Sequence, residues 1–256
     1  MYKAWTRTEM CERLGLKPEY RLSGFMSYGA WDDEKHFNNL RSALEEIGVK
    51  FESRKLQGFL SHVLEFNIDG RNYWFAIVYG GTMLSEYIHF AVALGSKRNI
   101  HIGSCGGLYP GISSMDLIIP TWSYGDESTT RMYARDVRDG KHMADPSLSK
   151  MIHSVLPAFL KVWNGPIVNN QAMMGETFDD VQSWSIQGFY GVEMETATVF
   201  AVSNHFNIPS AALLYVSDNL IKGQVVGDNS HLKEKEAREK VKREVYKSGL
   251  RVLIKD

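Results

Sequence analysis

Residues 100–111, IHIGSCGGLYPG, join a short apolar run to a cluster of glycines. Residues 99–102 predict a short buried strand, and residues 103–107 predict a Gly-rich turn directly after it. Ligands bind at the carboxyl ends of the strands in open α/β sheets. Glycines there let backbone N–H groups approach an anion or a flat ring, and the Ser104 hydroxyl adds a donor. A tight turn that needs only positive φ is the alternative. The stretch matches neither G-x-G-x-x-G nor G-x-x-x-x-G-K-[ST], which argues against the usual dinucleotide and P-loop sites.

Strand-like and helix-like segments alternate on both sides of this stretch, which predicts a sheet covered by helices on both faces. Asp69-Gly70 lies between two runs of β-branched and aromatic residues and predicts an antiparallel hairpin. We therefore predict an α/β fold, a single-domain three-layer α/β/α sandwich with a mixed central sheet. The predicted strands are 21–28, 62–68, 73–79, 99–102, 116–120 (ended by Pro120) and 210–216, and the predicted helices are 33–47, 84–94, 194–206 and 231–249.

The composition describes an ordinary globular chain. Its 256 residues are 44% hydrophobic and 23% charged, enough to bury one sizeable core. A net charge of -1 provides no overall positive field for a nucleic acid or an anionic membrane, so we expect neither as a partner. Because no low-complexity linker interrupts the chain, we divide it into an N-terminal extension, residues 1–20, and one domain, residues 21–256.

Targeting and cysteine signals are weak. The opening residues carry scattered charges without the apolar run of a signal peptide, and no later segment reaches the roughly 20 apolar residues that span a bilayer. A cytoplasmic location is the resulting expectation.

Cys11 and Cys105 are the only cysteines, so we expect two free thiols. No metal-ligand constellation is apparent among the eight histidines, and we predict no metal site.

Two glutamates, Glu193 and Glu195, bracket Met194 in the segment GFYGVEMETATVF, where a loop or strand end gives way to a helix. A carboxylate accepts two hydrogen bonds at once, which suits the vicinal 2′ and 3′ hydroxyls of a ribose. Methionine supplies an adaptable apolar wall beneath a sugar. The alternative is a helix start whose acids lie near the positive end of the helix dipole.

Asp218 follows the apolar run AALLYVS at the point where a buried strand emerges at the edge of the sheet. A partly desolvated carboxyl group can have a raised pKa and act as a general acid. The alternative is an aspartate that caps its own backbone in the Ser-Asp-Asn turn.

These three segments, in this order, resemble the nucleoside phosphorylase and nucleosidase superfamily, whose members carry a G-[ST]-x-G-[GA] turn, a V-E-M-E-x-A segment and a later Ser-Asp pair. They stand here as GSCGGL at 103–108, VEMETA at 192–197 and VSDN at 216–219. The resemblance covers roughly residues 50–225. It implies a phosphorylase-like fold, cleavage of a nucleoside N-glycosidic bond, and a homo-oligomer (dimer, trimer or hexamer) with a shared active site. It implies no cofactor beyond inorganic phosphate as co-substrate.

The resemblance also implies roles for individual residues. Met194 and Glu195 would hold the ribose hydroxyls with Glu193 beside them, and Asp218 would protonate or hydrogen-bond N7 of a purine. Phe178 and Gln182 resemble the base-packing aromatic residue and the uracil-reading glutamine of uridine phosphorylases, but Trp184 occupies the place of their uracil-reading arginine. With Asp218 present, we expect a purine rather than a pyrimidine. The implied phosphate-binding residues are Ser104, His101, Gly29 and an Arg54 lent by the adjacent subunit, and the implied base-binding residues are Cys105, Gly106, Phe178 and Gln182.

The chain departs from this family on the phosphate side. The Gly-Asp-Pro-x-Arg loop is replaced by residues 26–37, MSYGAWDDEKHF, in which Gly29 keeps the flexible position and Lys35 is the nearest cation. His101 replaces an arginine, and a histidine is a weaker and pH-dependent anchor.

The leading prediction is therefore a pentosyltransferase that uses phosphate to convert a purine nucleoside to free base and ribose 1-phosphate. A nucleosidase that uses water is the first alternative, and a non-catalytic nucleoside-binding protein is the second. A water-activating acid would be found among Asp32, Asp33 and Glu34, and a 5′-phosphate would meet Arg131 and Arg135, which are otherwise ordinary surface residues.

Overall fold

A computed structural model of the chain, which describes residues 5–228 and 233–255, contains a ten-stranded mixed sheet with helices on both faces. The strands are β1 (Leu22–Tyr28), β2 (Glu52–Lys55), β3 (Val63–Ile68), β4 (Arg71–Ile77), β5 (Asn99–Gly107), β6 (Leu117–Tyr124), β7 (Lys141–Met143), β8 (Val162–Asn169), β9 (Gly191–Glu193) and β10 (Ser210–Asn219). The helices are α1 (Arg7–Arg13), α2 (Asp33–Glu46), α3 (Gly81–Ala93), α4 (Ser128–Tyr133), α5 (Pro146–Ser154), α6 (Phe178–Ile186), α7 (Thr196–His205) and α8 (Lys235–Leu253).

The sheet is partly closed on itself. Its strand order is β10-β6-β8-β9-β5-β1-β4-β3-β2, with β7 paired to β6. Strand β10 also pairs with β5, so β5, β10, β6, β8 and β9 form a closed ring. Pairs such as β1 with β4 and β5 with β10 are parallel, whereas β3 with β4 and β5 with β9 are antiparallel. The predicted mixed sheet is confirmed.

Each face of the sheet has its own apolar core. Helices α2, α5 and α8 bury residues such as Leu40, Ile152 and Leu250 on one face. Helices α1, α3 and α7 bury Cys11 and Phe200 among others on the opposite face. Full burial of each large apolar side chain contributes about 1.5–3 kcal/mol, so these two cores hold the helical layers on the sheet. The three-layer α/β/α prediction is confirmed, and the division of the chain at residue 20 stays a prediction.

The Gly-rich segment is strand and not the predicted turn. Strand β5 continues through residues 103–107, where it pairs with β10 on one side and β9 on the other. None of its glycines has positive φ. The glycines are needed for close packing instead, because a Cβ at Gly106 would lie 2.7 Å from Cδ1 of Leu220 and 3.3 Å from Cγ1 of Val192. The paired neighbours, which the local sequence does not reveal, keep the segment extended.

Other boundaries also differ from the predictions. Strand β6 does not end at Pro120, which pairs with Gly165 in β8 just before a register shift in that pairing. A proline is tolerated in a sheet at such an irregularity. Asp69 and Gly70 have φ of 50° and 79°, as a two-residue type I′ hairpin requires, so the predicted hairpin is confirmed. The first two residues of the predicted helix 231–249 lie outside the described residues, and its residues 235–249 belong to α8, which continues to Leu253. No helix in residues 5–228 or 233–255 is long and apolar enough to cross a membrane.

We expect stability to fall in mild acid because of His36. This α2 residue is buried and its Nδ1 hydrogen-bonds the Tyr246 hydroxyl. Burial, followed by the charges of Lys35 and Lys242, lowers the pKa of His36 to about 4. Since the unfolded-state pKa is about 6.5, the unfolded chain takes up this proton first, and stability present above pH 6.5 is lost as the pH falls towards 4.

Thermal unfolding followed by circular dichroism between pH 7.5 and 5 measures this effect. The Tm of the wild type should fall by several degrees, and His36→Asn should show a smaller fall over the same range. Parallel Tm curves for the two proteins would show that His36 makes no such contribution.

Candidate active site

Three neighbouring strands bring Asp218, the backbone of β5 and Glu193 to nearly the same level of the sheet. Asp218 of β10 is the register partner of Gly106 in β5, and Gly106 is in turn the register partner of Val192 in β9. Glu193, the last residue of β9, follows Val192 and therefore lies across β5 from Asp218. Segments more than 80 residues apart in sequence meet here because the ring is closed.

Glu193 and Glu195 are both buried at the start of α7, but they make different contacts. The Glu193 carboxylate accepts hydrogen bonds from the backbone N–H groups of Glu195 at 2.8 Å and Thr196 at 2.9 Å. Glu193 thus caps helix α7, which agrees with the alternative prediction that these acids lie at a helix start. The Glu195 carboxylate instead reaches away from its own helix and accepts from the Gly80 N–H at 2.6 Å. Burial raises the pKa of both carboxyl groups above the ordinary value of 4.5.

Gly29 and His101 lie against these carboxylates. A Cβ at Gly29 would lie 2.5 Å from Oε2 of Glu195, so a residue without a side chain is required there. The His101 ring is 1% exposed, with Nδ1 3.0 Å from the Ser27 hydroxyl. Its Nε2 lies 3.8 Å from Oε2 of Glu193 and 3.9 Å from Oε2 of Glu195. Burial lowers the pKa of His101 to about 3, so the imidazole is neutral at pH 7.

A cavity of about 410 Å³ opens beside Met194. Gln171 organises its wall, because its side chain donates to the Met194 carbonyl at 2.7 Å and accepts from the Gly81 N–H at 2.9 Å. The exposed Trp31 ring lies 4.3 Å from that of Tyr79 at the rim. The volume is in the range of small-molecule sites. The cavity is lined by Tyr79, Gly80, Thr82, Met83, Glu86, Gln171 and Met194.

Sequence reasoning missed Gln171, Tyr79 and the glycine pair at 80–81. The pair was a usable signal, since two glycines at the start of helix α3 mark a point of close backbone approach. Gln171 carries no such signal, because its role depends on the packing of β8 beside α7.

The predicted base-binding residues are only partly brought together. Asp218 is 5% exposed and accepts a short hydrogen bond from the Ser217 hydroxyl. The Cys105 side chain lies inside the strand ring and donates to the Tyr215 carbonyl at 3.8 Å, which leaves only its backbone for a ligand. Phe178 begins α6 with 65% of its surface exposed, and Gln182 is half-buried one turn later.

On the phosphate side, Ser104 is half-buried in β5, whereas Arg54 lies on β2 at the far end of the sheet. The Arg54 side chain is 65% exposed and donates to Oε1 of Glu65 at 2.7 Å. Within one chain the fold therefore does not bring Arg54 to His101 and Gly29.

The alternative acids and arginines have other contacts. Asp32 caps α2 by accepting from the Lys35 N–H, Asp33 hydrogen-bonds His62 at 2.9 Å, and Glu34 pairs with Lys55 at 3.2 Å. Arg131 pairs with Asp126 at 3.4 Å on the surface, and Arg135 is exposed.

The fold and this arrangement of acids define a class of protein. The family description "Phosphorylase superfamily" matches residues 80–252, and the chain belongs to that superfamily. A guanosine phosphorylase of Halorubrum lacusprofundi is 27% identical over 54% of this chain and 56% of its own length. A DeoD-type purine nucleoside phosphorylase of Thermoanaerobacter sp. is 28% identical over 57% of this chain and 63% of its own. The chain thus spans less than two thirds of these two relatives.

Another DeoD-type purine nucleoside phosphorylase, from Xenorhabdus nematophila, is 26% identical over 82% of this chain and 79% of its own length. The crystal structure of a uridine phosphorylase from Vibrio fischeri ES114 superposes with a TM-score of 0.74 at 19% identity, covering 92% of this chain and 93% of that one. The predicted phosphorylase-like fold is confirmed.

Proposed function

We propose that this chain is a pentosyltransferase that cleaves the N-glycosidic bond of a purine nucleoside with inorganic phosphate, releasing the base and ribose 1-phosphate. One observation carries the proposal: the register that sets Asp218 opposite Gly106 and Gly106 opposite Val192, across three neighbouring strands of the closed ring. This register supports the proposal because the buried Asp218 and the sugar-binding candidates that follow β9 lie on either side of β5.

The proposed reaction divides among these groups. As the bond between C1′ and the base nitrogen lengthens, Asp218 donates a proton or hydrogen bond to N7 and makes the base a better leaving group. Met194 and Glu195 hold the ribose, and the bound sugar orients C1′ for attack. A phosphate oxygen near Ser104 forms the new bond to C1′. The electrons of the broken bond remain on the base.

A purine is favoured over a pyrimidine by two observations. Asp218 suits protonation at N7, an atom that uracil lacks. Trp184 stands where uridine phosphorylases are expected to have a uracil-reading arginine, and it packs against the apolar cluster around Phe189. The curated relatives named for purine nucleosides or guanosine agree with this choice.

Hydrolysis by water is the second candidate, and the charge of the site favours it. Among the ion pairs of the described residues, Glu193 and Glu195 face only His101, which is neutral at pH 7. A dianionic phosphate therefore meets buried carboxyl groups without a fixed cation from the same chain, whereas a water molecule has no such electrostatic cost.

A substrate assay distinguishes the candidates. The protein is incubated with inosine, guanosine, adenosine and uridine, each with and without phosphate, and the free base and sugar products are identified. Phosphate-dependent release of a purine base with ribose 1-phosphate supports the proposal. Release of base with free ribose at the same rate without phosphate supports hydrolysis. No release from any nucleoside contradicts both and favours a binding protein.

We also propose a homo-oligomer in which Arg54 of a neighbouring subunit completes the phosphate site. Arg54 lies on β2, the last strand of the sheet, and its side chain is mostly exposed. Each of the variants Arg54→Ala and Asp218→Asn should be poorly active alone. If the two oligomers are dissociated, mixed and reassembled, up to about a quarter of the sites should become active, because an interface between the two variants can hold both wild-type residues. Activity no higher than the sum of the separate variants would argue against a shared site.

A further inference from the structure

His101, Glu193 and Glu195 bring three metal-ligand groups to one buried place. Their ligand atoms all lie within 4.8 Å of one another, and all three residues are buried. Metal–ligand bonds of about 2.1 Å place the atoms of a tetrahedral site about 3.4 Å apart. The separations of 3.8 and 3.9 Å from His101 Nε2 to the two carboxylate oxygens need a contraction of only a few tenths of an ångström.

The histidine is oriented towards the carboxylates. Its Nδ1 is engaged by the Ser27 hydroxyl, which fixes the ring as a hydrogen bond to the second nitrogen fixes a metal-binding histidine. Its Nε2 makes no hydrogen bond to a described residue, although the side chain is only 1% exposed. Oε2 of Glu195 lies in the space left by the missing Cβ of Gly29, while Oε1 is held by the Gly80 N–H.

No cationic side chain accompanies this cluster among the described residues. Oε2 of Glu193 and Oε2 of Glu195 both lie within 3.9 Å of His101 Nε2, and no ion pair of the described residues brings them a lysine or an arginine. Glu127, which is half-buried, accepts hydrogen bonds from Asn169 and Thr198 nearby. Buried carboxyl groups are found either neutral or paired with a cation, and a metal ion is one such partner.

We infer that His101, Glu193 and Glu195 bind one divalent transition-metal ion. An imidazole nitrogen with two carboxylate oxygens suits Zn²⁺ or Mn²⁺ better than Mg²⁺ or Ca²⁺, which favour oxygen ligands alone. The sequence analysis predicted no metal site, and it could not bring these three residues together because His101 lies 92 residues before Glu193 and no local spacing connects them.

The ion would also supply the positive charge that the phosphate side lacks. This role in phosphate binding rests on the proposed function. With His101 as a ligand, the ion would offer an open position to a phosphate oxygen and would compensate for the missing arginines. Metal binding itself does not depend on the reaction and can be measured without a substrate.

Equilibrium dialysis of the chelator-treated, full-length protein against Zn²⁺ or Mn²⁺, with metal analysis, tests the site. We expect one ion per chain, a rise in Tm, and a weakening of binding by about 100-fold or more in His101→Asn and Glu195→Gln. His36→Asn, which alters another buried histidine, is the matched control and should bind as the wild type does. The Co²⁺ form of the wild type should show a ligand-field spectrum typical of mixed nitrogen and oxygen ligands, independently of the variants.

Absence of binding to the wild type, binding of Mg²⁺ or Ca²⁺ alone, or unchanged binding by both site variants would overturn the inference. Phosphate affinity measured with and without bound metal then tests whether the ion helps to bind phosphate. An unchanged affinity would contradict that role. Metal binding without base release from any nucleoside would contradict the proposed function and leave the metal site established.

Discussion

We expect Asp218→Asn to lower kcat for a purine nucleoside by about 1,000-fold, within the range of 10²–10⁴ that general acid catalysis contributes. The substitution keeps the size of the side chain and removes the proton that the base needs as it leaves. Because Asp218 is 5% exposed and held by Ser217, water cannot readily take its place. The KM should change much less than kcat, since the missing interaction belongs to the transition state.

The control for this variant is Asp139→Asn, which makes the same chemical change at an exposed position. It should retain wild-type kinetics. A substrate whose leaving group needs no protonation gives a second check. With p-nitrophenyl riboside, Asp218→Asn should lose far less activity than it loses with inosine. Equal losses for the two substrates, or a kcat within about threefold of the wild type, would remove Asp218 from the role of acid.

We expect Gly29→Ala to lower kcat/KM for the nucleoside by about 100-fold, the cost that a 1 Å misplacement can have in an active site. The new methyl group would lie 2.5 Å from Oε2 of Glu195, so the carboxylate must move. Its other oxygen is held by the Gly80 N–H, and the surroundings are buried, so little room exists for the movement. Gly29 does not have positive φ, so backbone strain does not add to the effect.

Gly175→Ala provides the matched control, since its Cβ would meet only Ala172, at an ordinary 3.7 Å. This variant should keep both its activity and its Tm. A crystal structure or nucleoside titration of Gly29→Ala would locate the defect. Wild-type nucleoside affinity together with wild-type turnover would show that Glu195 is not required in its observed position.

The sequence predicted those parts of the fold that depend on local pattern. The hairpin at Asp69-Gly70 has the two positive φ values that its residues favour, and α2 begins beside the Asp32 cap. The segment 103–107 was mispredicted because glycines also signal a turn, and only its pairing with β9 and β10 keeps it extended. Strand β8 was missed because its pattern is interrupted by Gly165 and Pro166.

In the candidate site, too, features set by local pattern could be predicted and features set by tertiary contacts could not. The positions of Asp218, Met194 and Glu195 at the ends of patterned elements could be predicted from the sequence, and their roles stay predictions. The contacts between His101, Glu195 and Gly29 could not be predicted, because they join the interior of β5, the start of α7 and the residue after β1, which are far apart in sequence. Arg54 was identified by resemblance, and its distance from the other residues within one chain follows from the strand order.

The closed ring formed by β5, β10, β6, β8 and β9 has a mechanical consequence. A ring has no free edge, so Asp218 on β10 and the segment that follows β9 are held by strand pairing on both sides. Strand β2 lies outside the ring, at the end of the sheet. A contact made at β2 therefore leaves the strand pairing of the ring unchanged.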